Sequence, residues 1–159
     1  MPHVFLAAVL AAAPALFPLS PPADGPVERA FEAPSSPYGP GHRGIDYATR
    51  PGTPVRAAAD GLVVFAGPVA GSLHVVVSHG RSWLTSYGYL AGAAVEAGQT
   101  VGRGDLVGVS GGKGEAHRPD VVHFGLRRGA RYVDPAPRMG PPLPAVHLAP
   151  LDGRCGAGP

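Results

Sequence analysis

Between residues 52 and 126 the apolar positions fall into short runs separated by glycine, aspartate and other polar residues. Val55-Arg56-Ala57-Ala58 is the first, and Leu62-Val63-Val64-Phe65-Ala66 follows Asp60-Gly61, a dipeptide that signals a hairpin turn. Leu73 to His79 alternates and is rich in valine, whose β-branched side chain suits a pleated surface. Trp83 to Leu90, Val101, Leu106 to Val109 and Val121 to Leu126 complete the series. No run holds a helical period over three turns, so the pattern predicts strands. It also echoes itself. Gly52-Thr53-Pro54-Val55 leads to Asp60-Gly61-Leu62-Val63 and closes at Ala66-Gly67. Gly98-Gln99-Thr100-Val101 leads to Gly104-Asp105-Leu106-Val107 and closes at Ser110-Gly111. Two such units predict an all-β fold, packed as a two-sheet antiparallel sandwich or half-open barrel.

Composition changes outside this region. The 159 residues include Gly 24 and Pro 20, with the prolines gathered toward the ends. This predicts one β domain over 38–136, a Pro/Gly-rich tail over 137–159, and a Pro/Ala/Ser-rich linker over 24–37 with a short edge strand at Val27–Phe31. Residues 1–23 read as an apolar leader. Its run over 4–19 is broken by Pro14 and Pro18, too interrupted for a membrane span, and it has the character of a secretory h-region with cleavage near Ala23. An exported protein of the cell wall or extracellular space, with no stable membrane span, is the expectation. A hydrophobic content of 45% supports a core, which excludes global disorder. The net charge of +2 is scattered apart from Arg127-Arg128 and Arg131, so no nucleic-acid stripe is present. The single cysteine, Cys155, excludes an internal disulfide.

The candidate chemistry lies in two separated segments. His42 and Asp46 are four residues apart, and on a strand such positions share a face. Gly44 between them allows either a close backbone approach or an unusual φ. His123 is flanked by Val122 and Phe124, and alternation sets Val121, His123 and Gly125 on one face. Two imidazoles and one carboxylate form a ligand set typical of catalytic zinc, with a fourth position open for water. Taken alone, His123 fits a hydrogen-bonded core histidine better than a ligand.

The surrounding residues carry a resemblance. Gly41-His42-Arg43-Gly44-Ile45-Asp46-Tyr47-Ala48, Pro51-Gly52-Thr53-Pro54-Val55, Val76-Val77-Ser78-His79-Gly80, Thr85-Ser86-Tyr87-Gly88-Tyr89-Leu90, Val95 to Gly104 and His123-Phe124-Gly125-Leu126 resemble, in order, the lysostaphin-like (LytM-type) zinc metallopeptidases of bacterial cell walls. The resemblance implies a two-sheet antiparallel fold with a groove, a zinc ion, and hydrolysis of peptide cross-links in peptidoglycan. It puts His42, Asp46 and His123 at the ligand positions. It also implies two further histidines, where this chain has Tyr89 and Val121, and a glutamate where it has Gly125. Val121 can neither take nor give a proton; Tyr89 is a poor base but its hydroxyl can stabilise an oxyanion. Glu115, His117 and Asp120, in a Gly-rich loop, are substitutes for the missing groups or solvated loop polarity. His74 and His79 receive no role. Two functions follow: a zinc metalloendopeptidase with weakened or rewired catalysis, or a catalytically inactive zinc-stabilised domain that binds peptidoglycan or activates a partner hydrolase. A third reading is a structural β domain without metal. The expected partners are peptidoglycan, its stem peptides and a partner cell-wall hydrolase.

Overall fold

The computed structural model describes residues 18–36, 39–112 and 120–141. Within them the chain forms ten antiparallel strands and one short 3-10 turn, Ala136–Arg138. The strands are β1 (Val27–Arg29), β2 (Ile45–Ala48), β3 (Pro54–Arg56), β4 (Gly61–Val69), β5 (Ser72–Ser78), β6 (Trp83–Ala93), β7 (Thr100–Val101), β8 (Leu106–Ser110), β9 (Val121–Arg128) and β10 (Arg131–Val133). The main path runs β1-β2-β9-β6-β5-β4-β7, with β10 on β9 and a β3–β8 ribbon on β6. The expected all-β antiparallel class is what forms. The main path and the β3–β8 ribbon are joined through β6, whose first half pairs with β9 and whose second half, from Leu90 to Ala93, pairs with β8.

Strand alternation explains the core. Val122, Phe124 and Leu126 of β9 are fully buried, as are Val75 and Val77 of β5 and Thr85 and Tyr87 of β6. All but Thr85 meet Val55 of β3 and Val107 of β8 in one cluster. The Tyr87 ring lies 5.5 Å from that of Phe124, and its hydroxyl accepts the Ala58 N–H at 2.8 Å, tying the ribbon's end to the main sheet. Burial pushes the Tyr87 phenol up to about 12, so it stays a neutral hydrogen-bonding group.

The internal echo is real, but its turns work differently from the expectation. Asp60-Gly61 does not close a hairpin. β3 pairs with β8, and β4 with β7, so each echo unit pairs with the other. The physical reason is that the turn's polar groups bond across the units. Asp60 Oδ1 accepts the Arg103 N–H at 2.6 Å, and Ala57 exchanges backbone bonds with Gly104 and Asp105.

Leu19 and Ser20 pack on this body. Leu19 is fully buried, its N–H donates to the Arg138 carbonyl, and the Ser20 N–H donates to the Ala58 carbonyl. β1, the anticipated edge strand, lies on β2. No helix among the described residues is long and apolar enough to cross a membrane.

Candidate metal centre

β2 and β9 are neighbours, and their register makes Asp46 and His123 direct cross-strand partners. Asp46 Oδ1 lies 2.7 Å from His123 Nδ1 and 3.0 Å from His42 Nε2. The two ring nitrogens are 3.2 Å apart. The shared-strand explanation for His42 and Asp46 does not hold: His42 precedes β2, at an isolated bridge to Glu32. What orients it is its own ring. His42 Nδ1–H donates to the Ala30 carbonyl at 2.7 Å, which turns Nε2 toward Asp46 and His123. Such an outer hydrogen bond fixes the tautomer of a metal-binding imidazole and raises its basicity.

The donor set fits a divalent metal. The three ligand atoms lie within 4.8 Å of one another, and His42 and Asp46 side chains are only 6% exposed. Two imidazole nitrogens and a carboxylate oxygen crowded into a nearly dry site are mutually repulsive unless protons or a cation lie between them. Gly44 makes this crowding possible. A Cβ there would sit 2.4 Å from the Phe124 carbonyl oxygen and 2.7 Å from His123 Nε2, so the requirement is close approach rather than a left-handed φ.

Tyr89 stands at the edge of this cluster, its ring centre 6.0 Å from that of His123. Its backbone is left-handed, φ 62°, a costly state for a tyrosine, at a bulge where β6 has two residues against one on β5. The residue opposite is His74. Its ring packs over Gly88, where a Cβ would lie 2.7 Å from Cε1, and stands 5.8 Å from the Tyr89 ring. Burial, and then the charge of His123, lower the His74 pKa. Burial, and then the Asp46 charge, raise that of Tyr89. Sequence reasoning left His74 without a role because nothing in a single strand reveals the bulge that aims it. The Gly88-Tyr89 pair opposite was its only trace.

The remaining candidates divide. Val121 begins β9, is buried, and shares the face of His123 by alternation. The Asp120 carbonyl accepts the Thr49 N–H. Glu115 and His117 lie outside the described residues. His79 is structural: its nitrogens contact the Asp60 carbonyl at 2.6 Å and Thr85 Oγ1 at 2.8 Å. Burial is the first cause lowering its pKa, partly offset by Asp60. The unfolded state therefore takes up a proton before the folded state does, so stability falls as pH drops below about 6.5. In metal-free protein the thermal midpoint is expected to rise between pH 5 and pH 7, with a shallower rise in His79→Gln; equal slopes in scanning calorimetry would refute the assignment.

Comparison with known proteins follows the same outline. The family model for peptidase family M23 matches residues 40–135. The chain belongs to this family. It is 40% identical over 124 residues to uncharacterized protein Rv2891 of Mycobacterium tuberculosis, covering 75% of this chain and 49% of that protein. It is 39% identical over 90 residues to the peptidoglycan DD-endopeptidase ShyA of Vibrio cholerae, covering 55% of this chain and 21% of ShyA. It is 40% identical over 102 residues to the murein hydrolase activator EnvC of Escherichia coli, covering 62% of this chain and 23% of EnvC. A solved M23 protein of Pseudomonas aeruginosa superposes with a TM-score of 0.67 at 31% identity, covering 80% of this chain and 52% of that one. The chain thus spans about half the length, or less, of the curated relatives it matches. M23 relatives include both peptidoglycan hydrolases and an activator of murein hydrolases.

Proposed function

We propose that this domain is a zinc-dependent hydrolase of peptide cross-links in peptidoglycan, with its proton-handling groups re-sited. The observation that carries the reading is the convergence of His42 Nε2, Asp46 Oδ1 and His123 Nδ1 under an outer hydrogen bond from His42 to Ala30. Zinc held by these three residues would supply Lewis acidity and bring the pKa of a bound water toward ~7. The chain's own groups then do the positioning. Tyr89, its hydroxyl proton held more tightly than usual, is a donor suited to a developing oxyanion. His74, its pKa lowered, is neutral at pH 7 and accepts a proton; no hydrogen bond occupies its ring nitrogens among the described residues. Val121 contributes neither. The reading requires export, since peptidoglycan lies outside the cytoplasmic membrane.

The test is zinc content beside peptide release from purified sacculi. Wild type is expected to hold about one zinc and release peptides. His74→Gln is expected to keep its zinc and lose about 10²-fold in rate, the lower range for a positioned acid/base group. Zinc-loaded wild type releasing no more than His42→Ala would sink the hydrolase reading. A second reading is a non-catalytic, zinc-stabilised domain that binds peptidoglycan or activates a separate hydrolase. The apolar Val121 and the likeness to EnvC favour it. It predicts retention on sacculi and stimulation of a partner hydrolase, with no release by the domain itself.

A further inference from the structure

Trp83, Arg128 and Arg131 lie in one row across β6, β9 and β10, because Trp83 pairs with Arg128 and Arg128 with Arg131. Arg138, in the 3-10 turn beyond β10, reaches over the same indole. Its guanidinium carbon is 4.3 Å from the ring centre and that of Arg128 is 5.4 Å. With Arg43, these residues line a pocket of about 740 Å³. Among the described residues, four arginines thus face one cavity, against a single acid, Asp134, whose Oδ1 already accepts the Ala136 N–H.

This arrangement concentrates positive charge on a partly exposed surface and leaves it open to a counter-charge. Like charges directly opposite on neighbouring strands destabilise a sheet, and Arg128 faces Arg131 in that way. Among the described residues no carboxylate pairs with Arg128, Arg131 or Arg138. Guanidinium forks match carboxylates in a two-point fashion and stack on indole. The cavity is far larger than one small anion, and part of its wall is apolar, including Phe31 and Val133. An occupant with both apolar bulk and several negative charges satisfies the whole surface; a bare anion would leave the apolar wall wet.

We propose that this pocket binds an acidic peptide segment, with carboxylates on Arg128, Arg131 and Arg138 and an apolar side chain against Phe31 and Val133. The pocket adjoins the metal cluster without including it. Its wall uses Phe31 and Pro34, while Ala30 of the same segment holds His42. The proposal does not depend on whether the domain hydrolyses anything.

The test is fluorescence anisotropy on the full chain with a labelled pentapeptide of alternating glutamate and leucine, beside the same peptide with glutamine. The glutamate peptide is expected to bind, more weakly as salt rises, and the glutamine peptide is not. Arg138→Gln, outside the sheet, is expected to weaken binding about ten-fold, the size of one lost hydrogen bond between charged groups. His42→Ala should leave it unchanged, which separates this pocket from the metal cluster. No binding of the acidic peptide, equal binding of both peptides, or full binding by an Arg138→Gln protein with a native unfolding midpoint overturns the proposal. So does displacement of the peptide by inorganic phosphate at equal concentration, the mark of a simple anion site.

Discussion

Asp46→Ala is expected to abolish zinc binding while leaving the β fold in place. Asp46 Oδ1 lies within 3.0 Å of a ring nitrogen of both imidazoles, and it carries the negative charge of the donor set. Losing an outer hydrogen-bonding partner of a metal ligand costs about 10–100-fold in affinity; losing an anionic ligand itself costs more. The fold is expected to tolerate the change because Asp46 makes its cross-strand pairing to His123 through backbone, which alanine preserves. A ligand that binds only the folded state stabilises it by about 2.7 kcal/mol at a hundred times its dissociation constant. Zinc should therefore raise the unfolding midpoint of wild type and not of Asp46→Ala. Asp46→Asn, which keeps an oxygen and loses the charge, should fall between them. A zinc-dependent shift of wild-type size in Asp46→Ala, measured by calorimetry with and without chelator, would remove this residue from the site.

Phe124→Ala is expected to destabilise the domain by about 3–5 kcal/mol, the range for removing a buried aromatic ring. Phe124 is fully buried at the middle of the sheet, paired with Ile45 on β2 and with Tyr87 on β6. Its ring meets that of Tyr87, so truncation opens a cavity where the ribbon and the main sheet are tied together. A loss of this size is a large share of the ~5–15 kcal/mol that holds a typical domain. Urea unfolding in chelator gives the fold contribution alone, and Phe124→Leu should recover more than half of it. A change under about 1 kcal/mol in Phe124→Ala, the scale of a surface substitution, would contradict the placement of this ring in the core.

Much of the fold was legible in the order of residues because a strand's signal is local. The alternation around Val75 and Val77, and around Val122, Phe124 and Leu126, marks one buried face without knowledge of any partner. The candidate ligands were legible for a different reason: with seven histidines in the chain a His-x-x-x-Asp spacing is weak alone, and the ordered motifs around His42, Asp46 and His123 single them out. The path of the chain was not. Asp60-Gly61 carries a hairpin signal, yet its neighbours pair with β7 and β8, since cross-unit bonds to Arg103, Gly104 and Asp105 outweigh a local turn preference.

The sequence by itself determined the all-β class, and its ordered motifs carried the family resemblance that singles out His42, Asp46 and His123 and marks Tyr89 and Val121 as departures. The class follows from periodicity and the rest from motifs matched in order, both of which are read from short segments. Only the tertiary structure decided that His42 is aimed by Ala30, that Gly44 is needed for the approach of His123, that a bulge sets His74 beside Tyr89, and that Trp83 gathers Arg128 and Arg138 around a pocket. Those that lie on strands, His74, Tyr89, His123, Trp83 and Arg128, depend on the register between strands far apart in the chain. A shift of one residue in that register would turn these side chains to the opposite face.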